Sequence, residues 1–388
     1  MATVAATRRL TYNPRTLRGG KIAGQDRTIV GSGTEMDQRI IDLRSDTVTR
    51  PTAAMRAVMA QAEVGDDVID VDPTAERLQL RTAELLGKES ALFMPSGTMA
   101  NQIAVRLHCR PGDEFLCEAG CHIYNYEQGA FAQLSGVVAH TVEGRYGVME
   151  LSQLEGLIRP PNDHLVRTRL VCLENTHNRG AGRIQPYDTV AAIGHWARAN
   201  GLRMHLDGAR LFNAEVATGI PAARWAQHFD TVSICFSKGL GAPIGSALAG
   251  PRDLIRDARR HRKLFGGGMR QVGIVAAGAL YALEHQRERL ADDHAHARIL
   301  ADAIRHSPGL ALEPDLVDTN MVIFAVDPTL ATAAEFVAAL KDQGVLMLPF
   351  SVRTIRAVTH LDVDQQQIQH AGEIIQQTAA RLAAATRP

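Results

Sequence analysis

The feature that most restricts the fold of this chain is an alternation of two textures. Short apolar runs recur at ALFMPSG (91–97), DEFLCE (113–118), GVVAHTVE (136–143), TRLVCLENT (168–176), LRMHLDGA (202–209) and DTVSICFSK (230–238). Between most of them lie segments of helical periodicity such as TVAAIGHWARANG (189–201). Parallel strands need crossover connections, and helices usually supply them. The alternation therefore predicts an α/β domain built on a mainly parallel sheet. Beyond about residue 285 long helical segments surround TNMVIFAVD and RTIRAVTHLDVD, which reads as a smaller α+β domain. The expected organisation is a large domain over 41–285 and a small one over 286–388.

Residues 1–40 differ from the rest. Residues 1–25 carry no Asp or Glu, and Arg8, Arg9, Arg15, Arg18 and Lys21 are scattered among small polar residues. Such a stretch fits a transit-like segment, a disordered arm or an upstream extension; a flexible N-terminal extension is the expectation. Lys+Arg and Asp+Glu both number 42, so net charge is zero and no nucleic-acid partner is expected. The longest apolar stretch, Val272 to Leu283, is too short to cross a bilayer, so no membrane partner is expected either. Of the five cysteines, Cys117 and Cys121 lie close together, but no second pair completes a zinc site. Reduced thiols, a cytoplasmic location and no metal follow as expectations.

Chemistry should collect at the carboxyl ends of the strands, where open α/β sheets bind ligands. Ser96, Gly97 and Thr98 end one apolar run just before a helical segment. Free backbone N–H groups and a helix terminus there make a phosphate cup, although a simple helix cap is the commoner role for such a serine. Asp207 ends another run, with Arg210 just after it, and alone it would read as a turn residue. Lys238 ends a third, where a buried ammonium needs a partner, a changed protonation state or a chemical task. A phosphate cup, a buried carboxylate and a buried lysine are together what pyridoxal 5'-phosphate requires: the lysine forms a Schiff base and the carboxylate pairs with the protonated ring nitrogen. At ~4 Å and an effective dielectric of ~20 that pairing is worth roughly 4 kcal/mol. It would raise the ring nitrogen's pKa by about three units.

The motifs DLRSDTVTRPT, GDDV…DPT, PSGTMANQIA, CLENTHN, HLDGARLFNA, SICFSKGLGAPIGS, GGGMRQ and VTHLDV, in this order, resemble the threonine aldolase family. The resemblance runs from about Asp42 to Asp362. It implies the aspartate-aminotransferase-like fold (fold type I), with a mainly parallel seven-stranded sheet in the large domain. It also implies retro-aldol cleavage of β-hydroxy-α-amino acids to glycine and an aldehyde. By the same resemblance Lys238 carries the cofactor, Asp207 faces the ring nitrogen, Gly97 and Thr98 hold the phosphate, and His122 stacks on the ring. Ser45, Arg210 and Arg356 would grip the substrate carboxylate, a planar task suited to arginine. His164 would approach the substrate hydroxyl, and His122, His164 or a water would take its proton. Lys263 and Arg270 would reach the phosphate of a neighbouring subunit, which implies a homo-oligomer, at least a dimer and expected to be a tetramer, with shared sites. Tyr124 and Tyr126 follow His122, where side chains can sense the stereochemistry at Cβ. After GDDV the family usually shows Tyr, whereas this chain has Ile69, so a site preferring bulkier or more apolar β-groups is expected. A β-eliminating lyase or a serine hydroxymethyltransferase-like enzyme is the alternative on the same cofactor.

Overall fold

The computed structural model describes residues 40–385. The expected flexible extension over 1–40 lies, except for Ile40, outside these residues. β1 (Ile41–Asp42) opens the described chain and pairs in parallel with β11 (Val345–Leu346). β2 (Ser90–Met94), β3 (Asp113–Glu118), β4 (Val138–Val142), β5 (Arg167–Glu174), β6 (Arg203–Asp207), β7 (Thr231–Cys235) and β8 (Ser246–Gly250) form a seven-stranded sheet ordered β2-β8-β7-β6-β5-β3-β4.

The pairs from β7 to β4 are parallel, whereas β8 runs antiparallel to both β7 and β2. Six of the seven strands coincide with the apolar runs of the sequence. β8 does not, because SALAG is built of small residues with little strand preference; its neighbours, both fully formed strands, impose its conformation. The strands β3, β5, β6 and β7 are buried nearly throughout, as a parallel sheet covered on both faces requires.

Helices close the two faces. The helix Pro73–Leu86 begins where the Asp72 carboxylate accepts from Thr74 and Ala75 N–H, and it ends at Gly87 in the left-handed region. Its Leu78 and Leu86 join Phe93, Trp225 and Phe236 in the larger core. The apolar stretch noted at Val272–Leu283 forms the helix Gly273–His285, which packs small side chains such as Ala276 and Ala279 against that core.

A second core follows in the chain. β9 (Leu310–Leu312), β10 (Met321–Val326), β12 (Leu348–Pro349) and β13 (Thr354–Val358) make an antiparallel sheet ordered β12-β13-β10-β9. The helices Leu290–Arg305 and Gln365–Ala385 supply Leu300, Ile304, Ile368 and Ile375 to a cluster around Phe324 and Phe336. Each such side chain, fully buried, contributes about 1.5–3 kcal/mol of transfer free energy. Among the described residues no helix is long and apolar enough to cross a membrane. All five cysteines are buried and unpaired.

Candidate active site

The parallel sheet brings several chemically active side chains to one edge. Met94 lies opposite Ser246, which lies opposite Cys235, so the segments leaving β2 and β7 emerge side by side. Glu174 and Asp207 are register partners at the ends of β5 and β6. Lys238 follows β7 in a turn where its carbonyl accepts from Gly241 N–H (2.8 Å) and from the Thr49 hydroxyl (3.3 Å).

Asp207 is buried and accepts from Asn101 Nδ2 (2.8 Å) and Ala209 N–H (3.1 Å). Burial alone would push its carboxyl up, but the charges of His122 and Lys238 and the Asn101 amide hold it below the usual carboxylate range. A carboxylate kept ionised there suits a protonated ring nitrogen.

Ser96 caps the helix Gly97–His108, its hydroxyl accepting from Met99 N–H (3.2 Å). Among the described residues the Gly97 and Thr98 N–H groups, at the positive end of this helix, have no acceptor. A side chain at Gly97 would place its Cβ 2.9 Å from Cys235 Sγ. Glycine is needed here because the helix start is pressed against β7. The cradle of free donors suits a phosphate.

Two arginines face the same region. Arg210, expected to grip a substrate carboxylate, is buried and commits Nε and Nη2 to Asp46 at 2.8 and 2.7 Å. Asp46 already holds most of this fork, which leaves Nη1 outside the pair. Arg356, on β13, donates to Asn178 Oδ1 (2.9 Å) and the Arg44 carbonyl (3.2 Å). Its Nε is buried without a partner among the described residues. Burial and then the nearby Arg210 charge lower its pKa, a cost that an arriving carboxylate would relieve. Ser45, the third residue expected at the substrate carboxylate, caps the short turn Asp46–Val48, its hydroxyl accepting from Thr47 N–H (3.2 Å).

His122 begins the short helix His122–Asn125, with its backbone N–H on Glu174 Oε2 (2.6 Å) and Nδ1 against Glu127 Oε1 (2.9 Å). Burial lowers its pKa, yet the Glu127 hydrogen bond and the Asp207 charge outweigh that and raise it. Tyr126 lies 5.4 Å from the His122 ring, and its hydroxyl accepts from Arg179 Nη1 (2.7 Å). His122 Nδ1, Glu127 and Asp207 offer three ligand atoms within 4.8 Å of one another. Asn101 Nδ2 already bridges the two carboxylates, so an amide donor fills the gap where a cation would stand.

Four candidates fall elsewhere within this chain. His164 is exposed in the loop before β5, at the edge of the sheet opposite Glu174. The eight residues of β5 separate the two by roughly 20 Å. Lys263 is exposed in the last turn of the helix Arg252–Leu264, and Arg270 is exposed and paired with Asp66 (3.1 Å). Ile69 is 80% exposed in the loop between Gly65 and Asp72, so it does not line its own chain's site.

Asp46, Asn101, Glu127, Asn178 and Arg179 were not singled out from sequence. Asn101 and Gln102, one turn into the helix that follows Ser96, are the one signal that was available: buried amides need polar partners.

The fold and the strand-end arrangement are those of the fold type I, aspartate-aminotransferase-like class. Leishmania major threonine aldolase has the same fold, with a TM-score of 0.75 at 22% identity over 87% of this chain and 99% of that one. Sphingomonas wittichii serine palmitoyltransferase has it as well, with a TM-score of 0.71 at 16% identity over 89% of this chain and 88% of that one. Residues 42–327 match the beta-eliminating lyase family. Low-specificity L-threonine aldolase 1 of Arabidopsis thaliana is 41% identical over 88% of this chain and 97% of its own length. The low specificity L-threonine aldolase of Escherichia coli K12 is 41% identical over 85% and 96%. The chain belongs to the beta-eliminating lyase family and, within it, to the low-specificity L-threonine aldolases.

Proposed function

We propose that this chain is a pyridoxal-phosphate-dependent aldehyde-lyase that cleaves L-threonine, L-allo-threonine and related β-hydroxy-α-amino acids to glycine and an aldehyde. The observation that carries the reading is the convergence, at one sheet edge, of Lys238, an ionised buried Asp207 and the free Gly97 and Thr98 donors. Bound pyridoxal phosphate supplies an electron sink for the pair released when the Cα–Cβ bond breaks.

The chain's own residues do the rest. The Lys238 amine holds the cofactor, Asp207 keeps the ring nitrogen protonated, and the Gly97 and Thr98 N–H groups take the phosphate. Arg356, through its unpartnered Nε, fixes the substrate carboxylate, with Arg210 Nη1 beside it. Fixing the carboxylate decides which Cα bond is aligned for cleavage, and such positioning supplies much of the rate. His122 is the imidazole of this cluster available to the β-hydroxyl proton.

In this reading the enzyme is a cytoplasmic homotetramer of chains with a large domain (41–285) and a small domain (286–388). His164, Lys263 and Arg270 then serve a neighbouring subunit's site. Support comes from the exposed apolar side chains of Val64, Ile69, Val71 and Ile274, a surface suited to a second copy. Ile69 shapes the β-substituent preference only across that interface, and a strong preference for threonine over phenylserine would count against it.

The deciding experiment incubates cofactor-loaded protein with L-threonine, L-allo-threonine and phenylserine, with Lys238→Ala as control. Matched glycine and aldehyde, absent in the control, are expected. 2-Oxobutanoate from the threonines, or phenylpyruvate from phenylserine, with ammonia in place of glycine and aldehyde would move the reading to β-elimination, the reaction for which the family is named.

A further inference from the structure

Glu127 is 2% exposed and takes three donors: His122 Nδ1 and Asn101 Nδ2 on Oε1 (2.9 and 2.8 Å), and Gln102 Nε2 on Oε2. Asn101 Nδ2 also donates to Asp207 Oδ2 (2.8 Å). Both hydrogens of that amide therefore go to carboxylates, which only accept, and this fixes its orientation. Its Oδ1 then accepts from the Ser233 hydroxyl (2.8 Å) and from His205 Nε2 (3.1 Å). Asn101 is saturated and immobile: two donors in, two carboxylates out.

The same logic reaches His122. A carboxylate oxygen 2.9 Å from Nδ1 accepts, so Nδ1 carries the hydrogen and, in the neutral ring, Nε2 carries the lone pair.

We propose that Glu127 is a positioning residue that locks the His122 imidazole with Nδ1–H inward and Nε2 free, and that Asn101 couples this lock to Asp207. Its catalytic meaning rests on the aldolase reading above. The lock presents a ring nitrogen able to take a proton from a substrate hydroxyl, and it fixes the plane of the ring beside the cofactor's carboxylate partner. It parallels the carboxylate–histidine pairing that orients other catalytic imidazoles.

The groups facing His122 come from several elements: Glu127 and Tyr126 from its own segment, Glu174 at the end of β5, Asp207 at the end of β6 and Lys238 after β7. Of these Glu127 alone hydrogen-bonds the ring among the described residues. The raised pKa of His122 agrees with that contact.

The test reads the ring directly. In the full chain labelled with ring-15N histidine, the His122 resonances, assigned by their loss in His122→Phe, are followed with pH with and without pyridoxal phosphate. The neutral ring of the wild type should show a protonated Nδ1 and a bare Nε2. Glu127→Gln keeps the shape, and Gln102 Oε1, buried without a partner, can turn to accept the new amide. In that variant the His122 midpoint should fall by about one pH unit, and in the loaded enzyme kcat for threonine should fall at least tenfold with KM within twofold. A wild-type ring protonated at Nε2, or a midpoint unmoved in Glu127→Gln, overturns the proposal. The wild-type measurement needs no variant to fold. Because the tautomer is also read without cofactor, failure of the lock is distinguishable from failure of the aldolase reading.

Discussion

Arg210 and Asp46, 164 residues apart in the chain, form a bidentate ion pair from which water is excluded on both sides. The pair pins the turn after β1 to the segment after β6, and Asn320 Nδ2 (3.4 Å) approaches the same carboxylate from the start of β10. Three distant parts of the chain are thus fixed around one charge. Arg210 is held rigid before any ligand arrives.

Removing one member of this pair leaves a buried charge uncompensated. Asp46→Asn should lower the unfolding free energy by about 3–5 kcal/mol, read as a fall in the urea midpoint. A loss under ~1 kcal/mol would show that water or another group screens Arg210 instead. Burial by itself raises the Asp46 carboxyl, but Arg210 holds it well below the usual range. The folded pKa is therefore lower than the unfolded value of about 3.9. The pair's contribution is complete above about pH 5 and is lost as the pH falls through the acid range. Asp46→Asn should accordingly show a flatter stability curve below pH 5 than the wild type.

The tight approach of Gly97 to β7 makes a second prediction. Gly97→Ala forces a methyl to within 2.9 Å of Cys235 Sγ, which is itself held by the Ser246 hydroxyl (3.2 Å). The helix start must shift and carry its N–H donors with it. The dissociation constant for pyridoxal phosphate should rise at least tenfold, measured by the cofactor's absorbance. Adding Cys235→Ala removes the obstructing sulfur and should restore much of that affinity. No recovery in the double variant would place the strain elsewhere.

The sequence made the strand ends legible because each of Gly97, Asp207 and Lys238 stands where an apolar run stops, a local signal. Arg356 came only through the family resemblance; nothing local distinguishes it within β13. Asp46 was invisible for a physical reason: its partner is 164 residues away, and an aspartate after serine reads as a cap. Glu127 and Asn101 were hidden likewise, since their burial arises only when the helix Gly97–His108 packs beside β6 and β7. β8 escaped because small residues in a central strand take their conformation from their neighbours. His164 was taken from family resemblance, although the apolar run 168–176 that it precedes already puts it at the edge of the sheet opposite the strand ends.

That last placement bears on the quaternary structure. Within one chain Arg270 pairs with Asp66, and Arg259 and Arg262 hold Asp67, so the segment around Ile69 is tied to the helix Arg252–Leu264 and to the loop after it. Lys263 and Arg270 are exposed on this unit and His164 on another. If these residues complete a neighbour's site, Arg270→Ala and Lys238→Ala chains, each inactive alone, should regain activity when mixed and allowed to exchange. An interface pairing one of each chain would hold one site lacking both groups and one site with both intact. Random exchange would then restore at most about one quarter of the wild-type sites. Subunit exchange verified by mass, with no recovered threonine cleavage, would mean that Arg270 acts in its own chain, through Asp66 alone.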